Sequence, residues 1–287
     1  MSDQREPVYR SQAELAKEDA RRARALSLVD AKRQPYARIL AEQLCNCAIC
    51  LEDAQPSAAS AQCAGGFRRD FIPAMSQLFG RITDKSLTPV AITLVPTYGI
   101  LWPREMTAWS HSTFERQLKY RLSQVPRELL LFAAGAWDIS LNVDQRGASG
   151  RQPFRSHYSV HLHAAGITSD RKELSRTLRH LFPATEELVL RPVQVKPLAP
   201  SSYAFSYYVR DQFDRKLFTD LSRRPVRDRL RTDTRDELQR ILLAIGHLRP
   251  EQRGFYFRCR GRYQADGNYT ISLIPGTQRK SQEYRVN

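Results

Sequence analysis

The stretch His157-Tyr158-Ser159-Val160-His161-Leu162-His163 brings three imidazoles together within seven residues. Its alternation of polar and apolar residues reads as a β-strand. Successive side chains of a strand point to opposite faces. His157, His161 and His163 therefore share one face, and Tyr158, Val160 and Leu162 the other. Neighbouring neutral imidazoles suit a shared divalent cation. Two histidines alone do not define a metal site, and a half-buried strand with solvent-facing histidines is the plainer reading of His161-Leu162-His163. What the rest of the chain sets beside them decides.

The elements that must position these residues follow from periodicity. Leu129 to Val143 reads as a strand with Asp138, Ser140 and Asn142 on one face and Ile139, Leu141 and Val143 on the other. A Gly-, Gln- and Arg-rich loop, 144–156, separates it from the histidine strand at 157–164, so the two form an antiparallel hairpin. Thr88 to Tyr98 is a β-branched run bounded by prolines, a buried strand. Residues 108–124 form an amphipathic helix stopped by Pro126, and a second helix covers 170–181, capped by Ser169. Leu188 to Leu198 is strand-like, and a helix starting near Ser201 carries Tyr203, Phe205, Tyr207 and Tyr208. Thr234-x-x-Glu237 opens a helix with an apolar stripe from Leu238 to Leu248. A hairpin of Gly254–Tyr263 and Tyr269–Ile274 follows.

The N-terminal segment has a capping box at Ser11-x-x-Glu14 and a thin apolar stripe. Arg21, Arg22 and Arg24 belong to its basic coat, which suits either a solvated surface helix or one lying along phosphates. Cys45, Cys47, Cys50 and Cys63 could close a tetrahedral zinc site, or could be small buried thiols. With Cys259 the cysteines number five, an odd count that argues against a disulfide framework.

Lys plus Arg total 45 against 30 acidic residues, a net charge of +15, which points to a polyanionic partner, nucleic acid before membrane. No apolar run approaches the ~20 residues of a membrane span. The N-terminus lacks a signal-peptide core, and the expected location is cytoplasmic.

Three segments then line up in order: Ile92-Thr93-Leu94-Val95-Pro96-Thr97, His161-Leu162-His163, and Tyr203-Ala-Phe-Ser206-Tyr207-Tyr-Val-Arg210. Together they resemble the three motifs of rolling-circle replication initiators of the HUH endonuclease superfamily, over about residues 85–215. The resemblance implies that His161 and His163 hold Mg²⁺ or Mn²⁺, that Tyr203 is the primary nucleophile, and that Tyr207 is its partner. Tyr203 and Tyr207 are four apart and share a helix face. Where the family usually has a Lys in the third motif, this chain has Ser206; Arg210 matches the later basic position. A hard third ligand is expected for such a cation, and Asp138, on the polar face of the paired strand, is the candidate. His157 is a further ligand or a partner to one.

The expected fold is α+β: an antiparallel sheet with helices packed on one face, palm-like as in HUH nucleases. The expected divisions are a basic helical and cysteine-rich region at 1–84, the endonuclease domain at 85–215, and a helix-hairpin extension at 216–287. The expected function is metal-dependent nicking and strand transfer on single-stranded or hairpin DNA at an origin. A 5′-phosphotyrosine link would start rolling-circle replication of a plasmid, phage or similar element, with a host helicase as partner. Arg258, Arg260 and Arg262, interleaved with aromatics, are candidates for clamping a strand. The alternatives are a transposase of the same chemistry and a non-catalytic DNA-binding protein that kept the fold.

Overall fold

The structure, a computed structural model, describes residues 6–30, 32, 34–46, 56–144, 156–185, 191–210, 212–218, 226–229 and 235–274. Cys47, Cys50, Thr234 and most of loop 144–156 lie outside these residues. The protein is α+β with a mostly antiparallel sheet. The sheet's central strands are β3 (Phe132–Asp144) and β4 (His157–Thr168), the expected hairpin, with Asp138 opposite His161 and Ala136 opposite His163. β1 (Thr88–Leu94) lies along the other edge of β4 and sets Thr93 opposite His163. β5 (Val193–Pro197) continues outward from β1, and the short β2 (Ile100–Leu101) pairs with the start of β4.

The free edge of β3 takes two partners. β6 (Asp214–Phe218) runs parallel along Ser140–Asp144 and is followed by β7 (Val226–Arg229). β8 (Gly254–Phe257) runs antiparallel along Ala133–Ala136. At Gly135 the ladder is so close that a Cβ would collide with the His163 carbonyl and the Ala164 backbone. Gly135→Ala is expected to lower stability by about 3 kcal/mol, read as the midpoint of a urea melt. An unchanged midpoint would refute this register.

Helices cover both faces, not one. Against the face bearing Val160, Leu162, Trp137 and Ile139 pack α1 (Gln12–Ser27), α2 (Pro35–Asn46), α4 (His111–Ser123), α5 (Arg171–Leu181) and α7 (Arg235–Ile245). The opposite face, which carries the histidines, is covered at one end by α3 (Ala61–Gly80) and the short α6 (Ser202–Phe205). The reason is that β3 and β4 are apolar on both sides at that end: Phe132, Ala134, Ala136, Ala165 and Ile167 need a second cover. Phe79 of α3 supplies it, with ring centroids 5.4 Å from Phe132 and 5.1 Å from Phe205.

The core also runs across both expected divisions at 84 and 215: Leu26, Leu40, Leu162, Leu242 and Phe255 belong to one cluster. The N-terminal capping box forms as expected. Arg22, however, is not part of a solvated coat. It is buried, donating to the Ala59 carbonyl at 2.7 Å. Asp170, not Ser169, caps α5, accepting from the Lys172 and Glu173 N–H groups at 2.7 and 3.0 Å. The expected strand Gly254–Tyr263 breaks at Arg258, whose φ is +59°. Beyond it β9 (Cys259–Tyr263) and β10 (Tyr269–Leu273) form a separate two-stranded sheet. No helix among the described residues is long and apolar enough to cross a membrane.

Candidate metal centre and tyrosine turn

The polar face of the β3–β4 hairpin is where the candidate residues meet. Asp138, His161 and His163 each offer one ligand atom, and these lie within 4.8 Å of one another, so the group could hold a metal ion. The imidazole rings of His161 and His163 are 4.7 Å apart between centroids and nearly perpendicular. Their parity on one strand brings them together, and the register of β3 on β4 adds the carboxylate.

The hydrogen bonds prepare these side chains as ligands. His161 Nδ1 lies 3.0 Å from the Ser159 carbonyl, which can only accept, so Nδ1 carries the proton and Nε2 the lone pair. Burial, followed by the charges of His163 and Lys216 and, more weakly, Arg210, holds the His161 pKa well below the usual imidazole value. It is therefore neutral, the form that binds metal. His163 Nδ1 sits 3.0 Å from Thr93 Oγ1, which orients the second ring from β1. Asp138 is 2% exposed. Its Oδ1 accepts the Ile139 N–H at 2.8 Å, and its Oδ2 is buried with no hydrogen-bond partner among the described residues. Burial raises the Asp138 pKa, opposed by Arg253 and Arg210. A buried carboxylate with an orphaned oxygen beside two imidazoles fits a divalent cation, which would offset the cost of burying that charge. Imidazole and carboxylate donors together suit several metals, and the set alone does not select one.

The other candidates are distributed as follows. His157 stands opposite Asn142 and meets it through Nε2 at 3.2 Å. It is four residues along β4 from His161, about 13 Å at strand rise, and lies outside the ligand group. Tyr203 and Tyr207 face each other as expected, although α6 ends at Phe205 and the chain continues only as turns. Their rings are 5.6 Å apart and their hydroxyls 3.2 Å apart. Tyr207 is exposed, whereas Tyr208 packs in the core. Arg210 lies with Cζ 6.0 Å from the Tyr207 ring centroid and donates to Asp214 at 2.8 Å. Its charge also opposes the burial shift of Asp138 and adds weakly to that of His161. Ser206 Oγ donates to the Tyr203 carbonyl at 2.6 Å and is buried.

Three contributors were missed by sequence reasoning. Thr93 was read only as part of a strand motif. Lys216 reaches the site because β6 sets it beside Asn142, and its Nζ donates to Ser140 Oγ at 3.1 Å. Arg253 approaches Asp138 Oδ1 to 3.5 Å from the far end of the chain. A Lys two residues from an Asp in a short strand is weak evidence, and a lone arginine before a glycine carries no signal at all.

The basic hairpin divides. Arg260 and Arg262 are exposed. Arg258 instead donates to the carbonyls of Val125, at 2.6 Å, and Leu130, which ties its guanidinium to the α4–β3 connection and away from any strand clamp. In the cysteine region Cys45 is exposed near the end of α2 and Cys63 is buried in α3. The remaining two members of that set, Cys47 and Cys50, are outside the described residues. No family model, curated protein or solved structure matches the chain, so what the site does is read from its own residues.

Proposed function

We propose that this protein is a metal-dependent DNA nicking and strand-transfer enzyme. Its fold is the palm of the HUH superfamily, and its role is to start rolling-circle replication of a plasmid, phage or similar element. The observation that carries this reading is the Asp138, His161 and His163 group with an unsatisfied carboxylate oxygen, in one molecule with a turn of paired tyrosines. Bound there, Mg²⁺ or Mn²⁺ supplies Lewis acidity at a non-bridging phosphate oxygen. The chain's own residues do the rest. Tyr203 Oη attacks phosphorus and forms the phosphotyrosine bond. The bond from phosphorus to the 3′ oxygen breaks, and that oxygen leaves as a hydroxyl, taking up a proton in place of the one lost by the phenol. Arg210 and Lys216 bring positive charge to the anionic phosphate. Tyr207, in hydrogen-bond contact with Tyr203, performs the second transfer when Tyr203 is occupied.

Ser206 does not count against this chemistry. Its hydroxyl is turned into the backbone of its own turn, and Lys216 brings an ammonium to the site face from a neighbouring strand. The deciding experiment incubates the protein with Mn²⁺ and a pool of labelled single-stranded hairpins, followed by a denaturing gel and mass spectrometry of tyrosine peptides. A covalent adduct on Tyr203 or Tyr207 is expected. Absence of any adduct on a pool that demonstrably binds would replace this reading with a non-catalytic DNA-binding protein.

A further inference from the structure

The edge of β3 opposite β4 is interrupted at the level of the metal group. β8 pairs over Ala133–Ala136 and β6 over Ser140–Asp144, which leaves positions 137–139 between two partners that do not meet. Arg253 crosses that interval. It ends a 3-10 turn, Pro250–Arg253, immediately before β8, and is 1% exposed. Its Cζ lies 5.8 Å from the ring centroids of both Trp137 and Phe213, and the Gln252 carbonyl accepts from Trp137 Nε1 at 2.9 Å. These contacts leave the guanidinium little freedom to move.

Two of its polar contacts bear on Asp138 and on the chain after the tyrosine turn. Nη1 donates to the Arg210 carbonyl at 2.6 Å, while Nη2 faces Asp138 Oδ1 at 3.5 Å. A buried arginine serving only as a counter-ion would use its fork bidentately and satisfy both carboxylate oxygens. Here the guanidinium faces Oδ1, already bonded to the Ile139 N–H, and Oδ2 is left without a partner among the described residues. The carboxylate is held from one side with its other oxygen unused.

We propose that Arg253 is the positioning residue of the metal centre: it sets the rotation of the Asp138 carboxylate and anchors to it the backbone that follows the tyrosine turn. The second half rests on the proposed nicking chemistry; the first half does not. Arg253 is not a ligand and does not touch the reacting atoms. It acts by fixing two groups that sequence separates, Asp138 on β3 and Arg210 after α6.

The test uses the full-length protein and Arg253→Lys, with Arg22→Lys as the control. Arg22 is an equally buried arginine over the same Phe213 ring, at 5.2 Å, but its Nη1 bonds the Ala59 carbonyl. Mn²⁺ affinity is measured by calorimetry without DNA, and adduct formation at saturating Mn²⁺ separately. Arg253→Lys is expected to weaken Mn²⁺ binding by about 10-fold or more, in the range lost when a ligand's supporting partner is removed, and Arg22→Lys to leave it unchanged. At saturating Mn²⁺ the adduct rate of Arg253→Lys should remain reduced with unchanged hairpin KM. Equal Mn²⁺ affinity in the two variants overturns the proposal even where the unmodified protein forms adducts. Mn²⁺ binding that is weakened only in Arg253→Lys, in a protein that forms no adduct, upholds the carboxylate role and removes the nicking reading. An unmodified protein that binds no Mn²⁺ overturns both. If Arg253→Lys does not fold, the unmodified protein decides. Mn²⁺ should broaden the guanidinium NMR signals of Arg253 more than those of Arg22, and equal broadening overturns the proposal.

Discussion

His161→Ala/His163→Ala is expected to abolish covalent capture of DNA and to weaken Mn²⁺ binding by more than ~100-fold, beyond the loss from removing a supporting partner. The size of the effect follows from what remains. Asp138 alone, buried and with its pKa raised by burial, cannot hold a dication against the nearby charges of Arg253 and Arg210. The fold should survive, because Tyr158, Val160 and Leu162 of β4 point to the other face, and Ala165 and Ile167 keep their own cover beyond the two rings. A destabilisation of about 1–2 kcal/mol is expected, as for ordinary substitutions of partly packed residues. Calorimetry with Mn²⁺, a denaturing gel and a thermal melt on one preparation give all three readings. Adduct formation at the unmodified rate would eliminate the histidines as ligands. Thr93→Val belongs to the same test with a smaller effect. It removes the hydroxyl that orients His163 but leaves the ring, and a loss of about 10-fold in Mn²⁺ affinity is expected.

The second large effect separates the tyrosines. Tyr203→Phe should lower the first cleavage by 10³-fold or more, on the order of the loss when a nucleophile is removed from an otherwise intact site. Tyr207→Phe should leave first cleavage within a few-fold and remove the second transfer. Under the proposed chemistry, the hydroxyl-to-hydroxyl distance of 3.2 Å would let the pair exchange roles at one phosphate, and the greater exposure of Tyr207 would suit it to an incoming strand. Single-turnover cleavage followed by chase with an unlabelled hairpin reads the two steps in turn. If Tyr207→Phe loses the first step and Tyr203→Phe keeps it, the assignments reverse. If both variants cleave normally, no tyrosine in this turn is the nucleophile. Because Ser206 and Tyr208 are buried beside them, neither should affect cleavage except through stability.

Much of the site was legible because it depends on neighbours along the chain. The period of two in a strand put His161 and His163 on one face and gave Asp138, Ser140 and Asn142 a face of their own. The period of the helical turn put Tyr203 over Tyr207, and this survives even though α6 is shorter than expected, since a single turn is enough for an i,i+4 contact. Errors arose where a residue's fate depends on a surface far away in sequence. Arg258 looked like part of an exposed basic strand, yet its positive φ ends β8 and turns its guanidinium onto the carbonyls that follow α4. Arg22 looked like helix coat, yet the small residues Ser57–Ser60 pack so tightly that only a buried donor serves the Ala59 carbonyl.

By itself, then, the sequence determined the strands β1, β3, β4 and β5, the helices α4, α5 and α7, the parity of every candidate ligand, and the pairing of the two tyrosines, because each is a property of consecutive backbone units. Only the tertiary structure decided that Asp138 stands opposite His161 and not a neighbouring residue, that α3 covers one end of the second face of the sheet, and that Thr93, Lys216 and Arg253 come to the candidate ligand group or its face. Register, edge pairing and the interval between β6 and β8 are set by which apolar faces bury together over the whole chain. That competition among long-range contacts leaves no periodic trace in the residues it brings into contact.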